Sequence, residues 1–169
     1  VQIGLATRLQ WPDSFLTLYH AISLKWYEFY QYGRIFAFSS GTGQYNNFSY
    51  NVVLGRSSIN QPIYPRNGSE ISLSLEVTPP YSWFSDKDYT TLPEEEKYKW
   101  IEYHKWKFLA DWYTTLAGNL VFYTRAHFGY LGHYNDDLGP SPFEGFDVVG
   151  DGMSGFNIYG YEVIDFRCY

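Results

Sequence analysis

Residues 47–78 constrain the fold most, because apolar and polar side chains alternate there with a period of two on both sides of one compact turn. Phe48, Tyr50, Val52 and Leu54 fall on one face, with Asn47, Ser49, Asn51 and Gly55 on the other. After the connection Gln61-Pro62-Ile63-Tyr64-Pro65-Arg66-Asn67-Gly68, Ile71, Leu73, Leu75 and Val77 oppose Glu70, Ser72, Ser74, Glu76 and Thr78. Such a pattern predicts two antiparallel strands with one oily and one wet face. It suits a sheet resting on a soluble core as well, so strand length and connection length have to decide.

The same alternation recurs along the chain. Val1, Ile3, Leu5 and Leu9 predict a first strand that stops at the tight Trp11-Pro12-Asp13-Ser14. From Phe15 to about Tyr30, Leu16, Leu18, Ile22, Leu24 and Trp26 share a face that His20 interrupts, opposite Thr17, Tyr19, Ala21, Ser23 and Lys25. Residues Gln31 to Asn46 and Pro79 to Lys97 carry loop chemistry without a core period. Trp106, Phe108, Ala110 and Trp112 mark a strand over about Trp100 to Thr115, and Leu116 to Asn119 a short turn. Leu120, Phe122, Ala126, Phe128 and Tyr130 mark its partner, with a long connection from about residue 131. Short and long connections therefore alternate, as in outer-membrane barrels, and several strands exceed the ~9–11 residues that cross a bilayer when tilted. The expected fold is an all-β antiparallel transmembrane β-barrel, of which this chain supplies about six strands.

Composition supports that choice. Of 169 residues, 22% are aromatic, with 18 Tyr, 13 Phe and 6 Trp, and aromatic rings with a polar tip suit the boundary between hydrocarbon and water. Trp26, Tyr27, Phe29, Tyr30 and Tyr32, and again Tyr81, Trp83 and Phe84, gather at strand ends on the long-loop side, where an interfacial girdle is expected. Lys25, Lys105, Lys107, Asp111 and Arg125 all lie on the polar face, which a water-filled lumen can solvate. A net charge of −6 without a basic block argues against a nucleic-acid partner. One cysteine, Cys168, excludes an internal disulfide framework. Val1 opens inside a strand pattern and Tyr169 follows no closing element, which reads as one segment, residues 1–169, of a larger barrel, with strands over 1–130 and a long extracellular loop over 131–169.

No pair of carboxylates or nucleophile with a base is spaced for catalysis, so no enzyme is expected and no cofactor is implied. His20, His104, His127 and His133 lack the spacing of a metal site, and Asp136, Asp137, Asp147 and Asp151 lack that of a calcium loop. No metal is expected.

Two stretches resemble a known family. The turn from Arg56 through Pro62, Tyr64, Pro65, Gly68 and Ser69 resembles the periplasmic turn of BamA-type outer-membrane assembly insertases, the surface-antigen barrel family. Phe143-Glu144-Gly145-Phe146-Asp147-Val148-Val149-Gly150-Asp151-Gly152, then Gly155-Phe156 and Phe166-Arg167-Cys168-Tyr169, resembles that family's sixth extracellular loop. Val149 stands where a second glycine is common, and Cys168 where the hallmark has glycine. The resemblance implies the middle strands of a sixteen-stranded barrel in the bacterial outer membrane. It further implies the assembly machinery (the BAM complex) as context, with outer-membrane lipid, nascent β-barrel clients and accessory lipoproteins as partners. Arg167 is placed by it at the tip of a loop folded into the barrel, with carboxylate partners from later strands. The readings from other classes are a passive or gated transport barrel and a secreted carbohydrate-binding β-sheet protein.

Overall fold

The computed structural model describes residues 1–29, 43–84, 89, 91–142, 144–150 and 161–166. Six strands form one antiparallel sheet in strict sequence order: β1 (Gln2–Arg8), β2 (Leu16–Phe29), β3 (Gly43–Ser57), β4 (Gly68–Val77), β5 (His104–Ala117) and β6 (Leu120–Gly132). Two further strands, β7 (Gly145–Gly150) and β8 (Tyr161–Phe166), pair in parallel with each other. The all-β antiparallel sheet expected from the alternation is thus present, and strands β2 and β3, of 14 and 15 residues, are far longer than the ~5–6 usual in soluble sheets.

Register turns the alternation into rows. Leu5, His20, Val52, Leu75, Trp106 and Tyr130 lie side by side across all six strands, and Thr7, Leu18, Leu54, Leu73, Phe108 and Phe128 form the row beside them. His20 sits within the first row, beside Tyr50 at a ring separation of 6.4 Å. Between these rows, on the opposite face, run Ala6, Tyr19, Val53, Ser74, Lys107 and Gly129, and on the other side of the first row Gly4, Ala21, Asn51, Glu76, Lys105 and Leu131.

Burial across the sheet is inverted relative to a water-soluble fold. Asn47 and Ser49 are 0% exposed, and Ser74, Glu76, Lys105 and Asp111 are buried, whereas Ile22 is 52% and Phe128 61% exposed. Lysine and glutamate are rarely buried unless paired, and a contiguous exposed apolar face marks a surface that meets something other than water. The small apolar core lies on the polar side of the sheet: Tyr45, Ile101 and Tyr103, with Tyr27, Tyr98 and Leu131 packed around them.

Boundaries differ from expectation in three places. Gly43 to Asn46 extend β3 instead of closing the preceding loop, because Gln44 Nε2 bonds Glu28 Oε1 at 3.1 Å and Tyr45 is buried against Tyr103 and Ile101. Trp100 to Tyr103 precede β5 instead of belonging to it: Ile101 N–H donates to the Asn46 carbonyl at 2.9 Å, folding the segment onto the sheet face. Leu116 and Ala117 still belong to β5, so the turn narrows to Gly118, in the left-handed region at φ 56°, and Asn119. Tyr27, expected in the girdle, packs against the core cluster and Tyr81 is half-buried, while Trp26, Trp83 and Phe84 are exposed. Tyr30 and Tyr32 lie outside the described residues.

Candidate functional site

Two regions carry the residues singled out by sequence. The first is the turn between β3 and β4. Ser58 N–H donates to the Ser69 carbonyl at 2.9 Å, and the Ser69 N–H returns a bond to Ser58 Oγ at 3.2 Å. Asn60 Oδ1 accepts from the backbone of both Arg66 and Asn67, at 3.1 and 3.2 Å, so this side chain substitutes for a missing strand partner at the tip. Tyr64 takes φ 53° and is held by Gln61 Nε2 donating to its carbonyl at 2.7 Å; Gly68 takes φ 111°. Pro62 and Tyr64 stand exposed at the tip, while Ser69 is buried. Thr115 then bonds Asn67 Oδ1 and the Arg66 carbonyl, and Arg66 reaches Asn119, which ties this turn to the next one. Sequence reading singled out Pro62, Tyr64, Pro65, Gly68 and Ser69; it placed Ser58, Asn60 and Asn67 in the turn without assigning them its hydrogen bonds, although their position between two strands was an available signal.

The second region is the described part of the segment after β6, a strap whose Glu144, Phe146 and Glu162 meet the polar face. Glu144, buried beside β7, lies 3.6 Å from Lys25 and 3.4 Å from Lys105, and accepts from Asn47 Nδ2 at 3.3 Å. On β8, Glu162 meets Lys107 at 2.9 Å and Lys105 at 3.8 Å. Beneath them Glu76 accepts from Ser49 at 2.9 Å and from the Tyr103 hydroxyl at 2.8 Å, with Lys25 at 3.8 Å. Phe146 places its ring 4.8 Å from Lys105 Nζ and over Gly129, where a Cβ would stand 2.7 Å from the ring. The absence of a side chain at Gly129 is therefore what lets the strap lie flat.

Of the strap residues selected by sequence, Gly150 and Phe166 come together as the last rung of the β7–β8 pair. Asp151, Gly152, Arg167, Cys168 and Tyr169 lie outside the described residues. Lys25, Lys105 and Lys107 share the polar face as expected, and the strap brings Glu144 and Glu162 to them. No spacing rule connects positions 39 or 55 residues apart.

At the short-turn end Arg125 forks onto Asp111 at 2.7 and 2.9 Å, and Tyr123 donates to the same carboxylate at 3.0 Å. Across the sheet Arg56 bonds Asp13 at 2.8 Å, which holds the Asp13 carboxyl below its ordinary value. Among the described residues no three His, Cys, Asp or Glu side chains converge as a metal site would require.

Burial pushes the Glu144 carboxyl above its ordinary 4.5 and Glu76 adds to the rise, while Lys25 and Lys105 oppose it. Burial likewise lifts the Tyr103 phenol well above its usual range, so it remains a donor to Glu76. A carboxyl raised in the seated strap binds protons more readily there than in the open chain. Its contribution to seating is complete below 4.5 and is lost as pH climbs from that value through the raised one. Hydrogen exchange of the β7 amides, corrected for intrinsic rates, should accordingly show stronger protection at about pH 5 than at about pH 8. Glu144→Gln fixes the neutral form and is expected to flatten that difference; an unchanged pH dependence in the variant would refute the assignment.

Comparison with protein-family models, with curated proteins and with solved structures finds no match.

Proposed function

We propose that this chain forms part of the barrel of an outer-membrane assembly insertase of the BamA type. The reading rests on one observation above all, the inverted sheet, in which glutamate, lysine, asparagine and serine are buried while isoleucine, leucine, phenylalanine and tryptophan face outward over six strands. An apolar outer face costs nothing in hydrocarbon, and every interior strand of the meander already pairs its backbone on both sides, the condition that a bilayer imposes. Strands on either flank of β1 and β6 would complete a sixteen-stranded closure. Exposed Trp11, Phe15 and Trp112 toward the short turns and Trp26, Trp83 and Phe84 toward the long connections suit the two interfacial girdles.

The strap favours an insertase over a plain pore. Its described parts meet the polar face through Glu144 and Glu162, and β8 ends immediately before the Arg167-Cys168-Tyr169 that resembles the family hallmark. Its work is mechanical and electrostatic, with no covalent step: lipid contacts the apolar face, nascent β-barrels are the clients, and accessory lipoproteins attach from the periplasmic side.

The test is client assembly in cells that depend on the full-length protein. Arg167→Ala is expected to lower the folded yield of other outer-membrane barrels several-fold, and Arg167→Lys to rescue poorly, because lysine lacks the planar fork that grips a carboxylate. Undiminished client assembly with Arg167→Ala present at normal abundance overturns the insertase role.

A further inference from the structure

From the charge ladder between strap and sheet we infer that the strap is a two-state latch, seated or released as one unit, with Lys25, Lys105 and Lys107 on the sheet fastening Glu144 and Glu162 on the strap. The inference deepens the barrel reading above and concerns the state of its interior.

The geometry makes partial release costly. Three cations face three carboxylates, Glu76 included, and the members are shared: Lys105 serves both Glu144 and Glu162, while Glu144 serves both Lys105 and Lys25. Lys105 and Glu144 are each buried, so lifting either strap carboxylate alone leaves three lysines facing two carboxylates, an excess cation beside the buried Lys105. Buried ion pairs gain little over full solvation of both partners, but a single buried charge left without its partner is strongly unfavourable. The seated state, with all charges paired, and the released state, with all charges in water, are therefore both reachable, and the states between them are not. Phe146 over Gly129 adds a packing contact with the same property, since a flat ring against a bare backbone either fits or leaves a gap.

Lys107 and Glu162 provide the handle for a test. They form the shortest rung at 2.9 Å, and both are partly exposed, so reversing their charge does not bury a new ion. Ser141, which is buried ahead of Glu144, serves as the reporter when replaced by cysteine in a Cys168→Ser background of the full-length protein. The readout is its rate of reaction with a charged maleimide. Glu162→Lys, which sets three lysines together, and Lys107→Glu, which sets carboxylates together, should each raise the rate about tenfold, because each reversal replaces an attraction by a like-charge repulsion. The double reversal Lys107→Glu with Glu162→Lys should return it to within about threefold of the parent, since the re-formed pair recovers most of the coupling. Slow labelling in both single variants overturns the latch, because release at β8 would then not reach Ser141. Fast labelling in the double variant overturns it as well, because the effect would not depend on charge pairing. Flotation of the same proteins with lipid vesicles reads barrel insertion separately, so a failed latch and a failed barrel give different results.

Discussion

Leu73→Arg is expected to destabilise the refolded protein by about 2–4 kcal/mol, the cost of arginine facing lipid near mid-bilayer in the barrel proposed above. Leu73 lies in the apolar row between Leu54 and Phe108 and is 41% exposed, so its surroundings in the membrane would be acyl chains with no partner for a guanidinium. Val52, in the neighbouring row between His20 and Leu75, should respond the same way. Ser72→Arg and Asn51→Arg point to the polar face and should cost much less, with an arginine there able to reach water or a carboxylate. Urea titrations of the full-length protein refolded into vesicles measure all four. Equal costs on the two faces would remove the basis for placing this sheet in a membrane.

Gly68→Val should be nearly as severe, for a reason unrelated to lipid. At φ 111° a β-branched residue is strained by about 1–3 kcal/mol, and its Cβ would collide with the Ser58 carbonyl oxygen and with Ile59 Cα at 2.8 Å. Both obstacles are backbone and cannot rotate away. Relief requires opening the Ser58–Ser69 bonds, at roughly 1 kcal/mol each, so a total near 3 kcal/mol or more is expected. Gly55→Val is the control within the same hairpin, because nothing lies within 4 Å of a Cβ there. Gly43, which sequence reading placed in a loop, is a poorer control: it starts β3, and a Cβ would run into the Tyr45 ring. The folded fraction recovered from expressing cells should rank Gly55→Val well above Gly68→Val, and the opposite ranking would refute this account of the turn.

The sheet was legible because every rung of it is local in sequence. Alternation assigned the faces correctly from Leu16 to Phe128, and the turn residues marked where each strand reverses. Strand ends were harder: Tyr45, Ile101 and Tyr103 form a cluster that overrides the loop chemistry of their neighbours, and a cluster between positions 45 and 103 leaves no periodic trace. The strap shows the same limit. Lysines 25, 105 and 107 could be placed on the polar face by parity alone, but their partners at 144 and 162 are chosen by how the chain returns, which depends on tertiary packing and on a bare position at Gly129.

The order of the strands has a kinetic consequence. Each pairing from β1 to β6 joins consecutive segments, so the meander can grow hairpin by hairpin with small loop-closure cost at each addition. Asn47 and Glu144, by contrast, are separated by 97 residues, and Glu144 also needs Lys105 from β5 in place. The strap contacts therefore form after β5 has docked. Their loss should speed unfolding and leave the rate of sheet growth unchanged, since an interaction absent from the transition state acts on the unfolding limb alone.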